Sequence, residues 1–417
     1  MYAPAGAGHA WSSQVGFPRG FLRGSNAPRR PWFHDGRIKE HIVFGRAGKS
    51  VRRCWTTGRV TLTTRREFLG GAMAGAVFVG CDLMPAHVHA QGNGAADAPR
   101  RREVVVNGRR VRTVDIHAHC AFPEAMALLG LTVRPDKLIM APERLAAMDA
   151  QGIDIEALSI NPYWYKADRD VAAALIKLQN EKLAALVAAQ PDRFVAFATM
   201  ALQHPDLAVE QLEYGIKTLG LRGVSVGGSV EGLELANPKF HPVWAKAEEL
   251  GCLIFIHPVG TKELVPRLHG NGGLENTIGN PLETTLALSH LIYEGTLDRY
   301  PGLKICAAHG GGYLPSYADR SDAVCVTFPD RCAAVPLKKK PTEYLRELYY
   351  DSIVFTPQAL RHLADQVGAD RIMMGTDYPF PWTRTSVDHI LATPGLTDAE
   401  RAGMLGDTAA RLLGINV

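Results

Sequence analysis

The sequence lacks the cysteine spacing, the basic surface and the long apolar segment that mark several common classes of protein. No pair among its seven cysteines has zinc-finger spacing. The net charge of +4 arises at the front, because residues 1–102 hold 16 Lys and Arg against 5 Asp and Glu, whereas residues 103–417 hold 30 against 37. An acidic body without a basic stripe argues against a nucleic-acid partner.

The front of the chain has the pattern of an extension followed by an export signal. Residues 1–60 are rich in Gly, Pro and Arg without a sustained hydrophobic period, so we expect them to be disordered or untranslated. Residues 61–90 predict a twin-arginine signal, in which Arg65-Arg66 precede an apolar run at 70–80 and a small-residue cleavage site. The location expected from this pattern is the periplasm, or another exported location reached by the twin-arginine route.

A short buried helix, a membrane anchor and a lipid anchor on Cys81 are the alternatives to that signal. The apolar run is about half of the ~20 residues that a membrane-spanning helix needs, so we expect no stable span after processing. An oxidising compartment would permit a disulfide between Cys325 and Cys332, which the sequence alone leaves open.

From about residue 104, short apolar runs rich in β-branched residues alternate with stretches of helical period. The apolar runs predict eight strands at 111–119, 153–161, 194–201, 221–228, 252–259, 303–309, 348–355 and 371–378. The clearest helical stretches lie at 168–190, 205–219, 238–250, 282–298 and 357–367. Two aspartates are candidate caps and three prolines fall in expected first turns: Asp168, Asp206, Pro142, Pro238 and Pro357.

Eight strands with helical crossovers predict an α/β fold with a parallel sheet that is buried on both faces. Over roughly 300 residues this number fits a (β/α)8 TIM barrel, which we expect at 104–417. A doubly wound open sheet is the alternative. Such a sheet would carry a Gly-rich phosphate turn after its first strand, where this chain has His117-Ala118-His119.

Four of the predicted strands end in histidine or aspartate: strand 1 in His117 and His119, strand 5 in His257, strand 6 in His309 and strand 8 in Asp377. Any one of these residues alone would more often be a structural, hydrogen-bonded group. The C-terminal strand ends of a barrel share one rim, however, so their coincidence predicts a metal site. Three imidazoles and one carboxylate suit zinc or another borderline divalent ion. Strand 4 holds no lysine to bridge a second metal, so we predict one ion.

The motifs around these residues resemble the amidohydrolase superfamily, and within it the aminocarboxymuconate-semialdehyde decarboxylase branch. They are Asp-Ile-His-Ala-His at 115–119, His-Pro at 257–258, Ala-His-Gly-Gly-Gly at 308–312 and Gly-Thr-Asp-Tyr-Pro-Phe at 375–380. The resemblance runs across about residues 112–414. It implies non-oxidative decarboxylation of a small unsaturated or aromatic carboxylate by a homodimer with one divalent metal, usually zinc.

The same resemblance implies roles for individual residues. The metal ligands would be His117, His119, His257 and Asp377, and the catalytic residues would be Asp377 with His309, which would manage protons near the metal. Arg320 would reach the neighbouring subunit's site and pair with the substrate carboxylate. This chain departs from the branch at Val259, where a Trp is usual, and in a shorter loop after strand 1. That loop leaves Arg134 as a weak match for a further substrate arginine.

The chemistry also follows from the residues themselves. A divalent cation lowers the pKa of bound water towards about 7, and an imidazole such as that of His309 can accept a proton and return it to carbon. Arg320 could bind a carboxylate through two hydrogen bonds, although the residue alone would more often be an exposed helix arginine in a solvent salt bridge. Hydrolysis of a lactone, amide or ester needs the same ligands and is the alternative reaction. A non-catalytic periplasmic binding protein is a third possibility, which the intact ligand set disfavours.

Several other residues near the strand ends have two interpretations. The cluster Tyr163-Trp164-Tyr165, with Phe380 and Trp382, could wall a planar substrate or pack loops. His290 falls on a predicted helix, away from the ligands. Glu283 is expected in the first turn of the same helix, where the helix dipole favours a negative charge.

Overall fold

The computed structural model describes residues 101–416, and the predictions for 1–60 and 61–90 fall outside these residues. Eight barrel strands alternate with eight main helices. The strands are β1 (Val114–His119), β2 (Ile155–Ser159), β3 (Phe194–Ala196), β4 (Gly223–Val226), β5 (Leu253–Ile256), β6 (Lys304–Ala307), β7 (Tyr349–Asp351) and β8 (Ile372–Met373). The helices are α1 (Pro142–Gln151), α2 (Arg169–Ala189), α3 (Pro205–Glu213), α4 (His241–Leu250), α5 (Asn280–Tyr293), α6 (Leu314–Thr327), α7 (Pro357–Val367) and α8 (Ser386–Ala392).

The strands form a closed parallel barrel. Strands β1 to β3 make one run of neighbours and β4 to β8 make the other. Parallel bridges join the two runs, with Ala198 beside Val224 and Ala118 beside Tyr378. The β1–β8 seam is held by the amide of His119, which donates to the carbonyl of Tyr378 at 2.7 Å. The prediction of a (β/α)8 barrel is therefore confirmed, and the open sheet is excluded.

The interior of the barrel is filled by side chains rather than by solvent. Buried apolar residues from successive strands meet there: Val114, Ile116, Ile155, Ala157, Val195, Phe197, Leu253, Phe255, Cys306, Ala308, Tyr349 and Met373. A second, larger core lies between the strands and the surrounding helices. Both faces of the sheet are buried, as the near-continuous apolar strands predict.

The observed strands are shorter than the predicted ones, because several residues at the predicted C-terminal ends belong to loops at the barrel rim. Prolines begin α1, α3 and α7, as expected for residues that lack an amide hydrogen. The prediction that Asp206 caps α3 is wrong, since Pro205 already begins that helix. Asp206 instead accepts a hydrogen bond from Arg169 at 2.7 Å. Asp168 occupies the cap position of α2 without a side-chain capping hydrogen bond.

The cysteines within residues 101–416 are either disulfide-bonded or buried. A disulfide links Cys325, in the last turn of α6, to Cys332. Cys120, Cys252 and Cys306 are free and buried, in line with a packing role. Within residues 101–416, no helix is both long and apolar enough to cross a bilayer.

Candidate metal centre

Three of the predicted ligands meet at the C-terminal rim of the barrel. The Nε2 atoms of His117 and His119 lie 2.9 Å apart. Oδ1 of Asp377 lies 3.2 Å from Nε2 of His117 and 3.0 Å from Nε2 of His119. All three side chains are buried, although they come from opposite ends of the described chain. The convergence predicted for strands 1 and 8 is therefore present.

Two further imidazoles complete the cluster. The ring of His257 lies 4.6 Å from that of His119 and 5.0 Å from that of His117, centre to centre. Nε2 of His309 lies 3.7 Å from Oδ2 of Asp377. One nitrogen or oxygen from each of His117, His257, His309 and Asp377 falls within 4.8 Å of the others, a spacing suited to one shared ion. The rim thus gathers all five residues that the strand ends predict.

Each of the three ligand histidines is held through its Nδ1 atom. Nδ1 of His117 donates to Asp351 at 2.6 Å, and Nδ1 of His257 donates to the carbonyl of Pro258 at 2.8 Å. Nδ1 of His119 lies 2.9 Å from the hydroxyl of Ser159. That hydroxyl donates to the carbonyl of residue 118 at 3.1 Å, which leaves it to accept from His119. In every ring the proton therefore sits on Nδ1, and the lone pair of Nε2 faces the cluster.

A cation is what this arrangement of acceptors requires. With each Nδ1 directed elsewhere, the Nε2 atoms and a carboxylate oxygen converge, which is unfavourable unless a proton or a metal cation lies among them. Burial lowers the pKa of His119 to about 4 and lowers that of His257 well below its usual value, so both are neutral. Burial alone would raise the pKa of Asp377, but the adjacent His117 charge and hydrogen bonds hold it far below its usual range. Neutral imidazoles and a carboxylate are the ligand forms.

The pKa of His117 also indicates that the cluster favours a positive charge. Burial by itself lowers the pKa of His117, yet the carboxylates of Asp377 and Asp351 outweigh burial and raise it to about 10. A positive charge is thus favoured at the point where the ring meets Asp377. The donor set fits a divalent metal held by His117, His119, His257 and Asp377.

The backbone at two of these residues is unusual. His309 has φ of 57° and Asp377 has φ of 60°, a left-handed conformation that is costly for residues other than glycine. Asp351 supports the first of these turns by accepting the amides of His309 and Gly310, each at 2.8 Å. At Gly312, which also has positive φ, an added Cβ would overlap the carbonyl oxygen of Pro281. Glycine at position 312 is therefore a requirement of the close approach of the β6 loop to α5.

The strand-end analysis missed Asp351, which is fully buried at the end of β7. The predicted strand covers 348–355 and so places this aspartate in its interior, whereas the observed β7 ends at Asp351. For Asp115 the sequence predicted no role beyond its place as the first residue of the Asp-Ile-His-Ala-His motif. Its carboxylate accepts the amides of His117 at 2.9 Å and Thr376 at 3.1 Å, and so ties the two ligand-bearing strands together. Burial and the nearby Glu156 raise the pKa of Asp115 to about 7.

Arg320 and Arg134 lie apart from this cluster. Arg320 is exposed on α6 and lines a groove of about 580 Å³, together with Tyr313, Tyr317 and Val324. Within residues 101–416 it has no salt bridge. Arg134 is also exposed, in the loop after β1. Among the described residues, neither arginine belongs to the cluster of candidate metal ligands.

Some of the aromatic residues near the rim pack loops, and others lie where they could border a planar substrate. Trp164 and Tyr165 pack loops, since the Trp164 indole donates to the carbonyl of Met200 at 2.9 Å and both rings are buried. Phe380 lies 5.9 Å from the ring of His119, centre to centre, and borders the centre. Trp382 remains 46% exposed.

Glu283 does more than balance a helix dipole. It lies in the first turn of α5, as predicted, but is only 3% exposed. Its carboxylate accepts the amides of Val259 at 2.6 Å and Gly260 at 2.5 Å, and the hydroxyl of Ser229 at 3.0 Å. The carboxylate therefore fixes the loop that follows His257. His290, as expected, lies away from the ligands, near exposed glutamates.

Comparison with known proteins agrees with this geometry. The Amidohydrolase family model matches residues 114–415. The 2-amino-3-carboxymuconate-6-semialdehyde decarboxylase of Dictyostelium discoideum is 31% identical, over 73% of this chain and 85% of the relative. The 5-carboxyvanillate decarboxylase structure from Sphingomonas paucimobilis matches with a TM-score of 0.67 and 28% identity, over 73% of this chain and 100% of that one.

A third relative carries a metal. The dihydroxybenzoic acid decarboxylase from Polaromonas sp. JS666, solved with manganese and the inhibitor 2-nitroresorcinol, matches with a TM-score of 0.65 and 28% identity, over 72% of this chain and 96% of that one. The chain belongs to the amidohydrolase family. Within that family it belongs with the metal-dependent decarboxylases, since its relatives are decarboxylases and its rim carries a divalent-metal site.

Proposed function

We propose that the protein removes carbon dioxide, without oxidation, from a small aromatic or conjugated carboxylic acid. The observation that carries this proposal is the cluster of three ligand imidazoles and Asp377, with His309 beside it at the barrel rim. Relatives that act on carboxyvanillate and dihydroxybenzoic acid support an aromatic substrate with ring hydroxyl groups. Hydrolysis on the same ligands has no comparable support among them.

A divalent ion held by His117, His119, His257 and Asp377 would supply a Lewis acid to polarise a substrate oxygen and stabilise negative charge. His309 supplies the proton. Its side chain is 13% exposed at 3.7 Å from Asp377, whereas the side chains of His117 and His119 are 0% and 1% exposed. As the bond to the carboxylate carbon breaks, carbon dioxide leaves and the electron pair stays on the ring carbon, to which a protonated His309 transfers its proton, leaving the neutral imidazole.

Zinc is the ion that we propose for this chain, because three imidazoles and one carboxylate match its preferred donors. Manganese, which the Polaromonas enzyme holds, is the competing ion. Metal analysis of the purified protein, grown without added metal, decides between them.

We also propose that the protein is a homodimer in which Arg320 serves the neighbouring subunit's site. Exposed apolar side chains surround this arginine on α6: Tyr317 is 69% exposed and Val324 39%, and Val326 further along is 82% exposed. Such a patch beside a cation suits a protein interface next to a carboxylate. Arg320→Ala should raise KM for the acid and leave the metal content unchanged, while Arg331→Ala in the same groove serves as control.

Residues 61–90 are proposed as a twin-arginine export signal, preceded by a disordered or untranslated extension at 1–60. The Cys325–Cys332 disulfide supports an oxidising destination. Cell fractionation after expression of the full chain, with Arg65-Arg66 changed to Lys-Lys as control, tests export. Retention of both forms in the cytoplasm would contradict it.

The reaction is tested by carbon dioxide release. Metal-loaded protein should release carbon dioxide from at least one acid in a panel of dihydroxybenzoic acids, 5-carboxyvanillate and related hydroxybenzoic acids, with no organic cofactor added. A parallel panel of lactones, esters and amides tests the alternative. Turnover of the second panel alone would overturn the proposal.

A further inference from the structure

Arg144 is a buried arginine that contacts three barrel strands at once. It lies in the first turn of α1 and is only 2% exposed. Its Nη1 donates to the carbonyl of His119, on β1, at 2.7 Å, and its Nε donates to Glu156, on β2, at 2.6 Å. The guanidinium carbon also lies 4.6 Å from the ring centre of Tyr378, which follows β8. No other described arginine is as deeply buried.

Two of the three contacts fall beside the predicted metal ligands. The carbonyl that Arg144 binds belongs to the ligand His119 itself, and Tyr378 directly follows the ligand Asp377. Strands β1 and β8 meet through the bridge between Ala118 and Tyr378. Arg144 therefore spans the seam at which the barrel closes.

We propose that Arg144 is a positioning residue that sets the separation of His119 and Asp377 for metal binding. The planar guanidinium is suited to this task, because its donors have a fixed geometry and its face can stack on a ring. The ion pair with Glu156, which is 1% exposed, holds the guanidinium in the plane from which it reaches both strands. The inference rests on the metal site and not on the proposed reaction.

A purely structural role would be a poor explanation of these contacts. The cost of removing two charges from water roughly cancels their attraction, so a buried ion pair adds little to stability. Replacing both partners by apolar residues of similar length often leaves stability unchanged or increases it. Stability and metal positioning can therefore be separated by experiment.

The decisive variant is Arg144→Met/Glu156→Leu, which removes both charges and leaves apolar side chains. Its matched control is Arg193→Met. Arg193 likewise pairs with a carboxylate, that of Asp149, at 2.9 Å, and donates to a backbone carbonyl, that of Asp154, at 3.0 Å. It does so beside the N-terminal end of β2, at the other end of the barrel. Zn²⁺ and Mn²⁺ are each titrated into the metal-free full chain against a chelator, and thermal unfolding is followed in parallel.

We expect the double variant to unfold near the wild-type temperature and to bind both metals about tenfold more weakly or worse, the usual effect of losing a group that orients a ligand. Arg193→Met should bind both metals as wild type does. A folded double variant with metal affinity within twofold of wild type would overturn the proposal. An equal loss in Arg193→Met would do the same.

If the double variant does not fold, Arg144→Lys takes its place. Lysine keeps the charge but lacks the planar fork, so the same loss of metal affinity is expected. Wild-type affinity in folded Arg144→Lys would overturn the proposal. Because the measurement is metal affinity, a chain that binds metal normally and fails to decarboxylate would refute the proposed function and leave this inference standing.

Discussion

Nδ1 of His117 donates to Oδ2 of Asp351 at 2.6 Å, and both side chains are 0% exposed. The same carboxylate accepts the amide of His309 at 2.8 Å. One buried aspartate on β7 therefore orients a predicted metal ligand from β1 and, after β6, the histidine that we propose as the proton donor. Burial alone would raise the pKa of Asp351, but the His117 hydrogen bond and charge lower it, so the group is a carboxylate.

The first prediction concerns this carboxylate. Asp351→Asn keeps the size of the side chain but removes the charge that fixes the His117 ring, so metal affinity should fall by about 10–100-fold. Competition with a chelator measures the change. Asp370→Asn, at a site whose side chain is 73% exposed, is the control and should bind metal as wild type does. Unchanged affinity in Asp351→Asn would remove Asp351 from this account of the centre.

The second prediction separates His309 from the ligands. His309→Gln should keep one metal per chain and lose decarboxylation by roughly 10²–10⁴-fold, the usual contribution of a positioned acid–base group. His290→Gln, on the exposed side of α5, should leave both unaffected. Metal content and kcat are measured on the same preparations. Loss of the metal from His309→Gln would instead make His309 a ligand.

The third prediction concerns the glycine run after His309. Gly312→Ala adds a Cβ that meets Thr285 Oγ1 at 2.6 Å as well as the Pro281 carbonyl. Gly220 has a similar positive φ, 69°, and nothing lies within 4 Å of a Cβ added there. Gly220→Ala should therefore cost only roughly 1–2 kcal/mol of unfolding free energy. Gly312→Ala should cost about 2 kcal/mol more, because of the overlap. Urea unfolding compares them, and equal costs would contradict the close approach.

The fourth prediction follows from buried thiols. Burial raises the pKa of Cys120 to about 12 and that of Cys252 to about 11, and places that of Cys306 well above its usual value. Because only the thiolate reacts, all three should resist iodoacetamide at pH 8 in the native protein and react once it is denatured. Peptide mass spectrometry measures the extent of labelling at each cysteine. Rapid native labelling of any of the three would contradict the burial described.

The barrel, and the meeting of the candidate ligands at one rim, were predictable because their signals are local. Each strand is a short apolar run, and each ligand stands at the end of one, so strand order alone brings His117, His257 and Asp377 to one rim. Asp351 lies in the interior of the predicted strand 348–355, so its place at the rim did not follow from the sequence, because the observed β7 ends four residues earlier. Its partner could not be read from the chain, because that partner lies 234 residues away in sequence.

Other features depend on packing that no local pattern encodes. Arg144 and Glu283 stand in first turns of helices, where charged residues are ordinarily exposed, and only the tertiary structure buries them. Asp206 shows the converse. An aspartate is a typical helix cap, but the preceding proline begins this helix, and the Asp206 carboxylate accepts a hydrogen bond from Arg169 instead.

Anomalous diffraction from crystals of the zinc-loaded protein tests the central claim most directly. The account predicts one peak per chain, at roughly 2.0–2.2 Å from Nε2 of His117, His119 and His257 and from a carboxylate oxygen of Asp377. A peak elsewhere in the chain, or one at the rim with Asp377 beyond coordination distance, would contradict it.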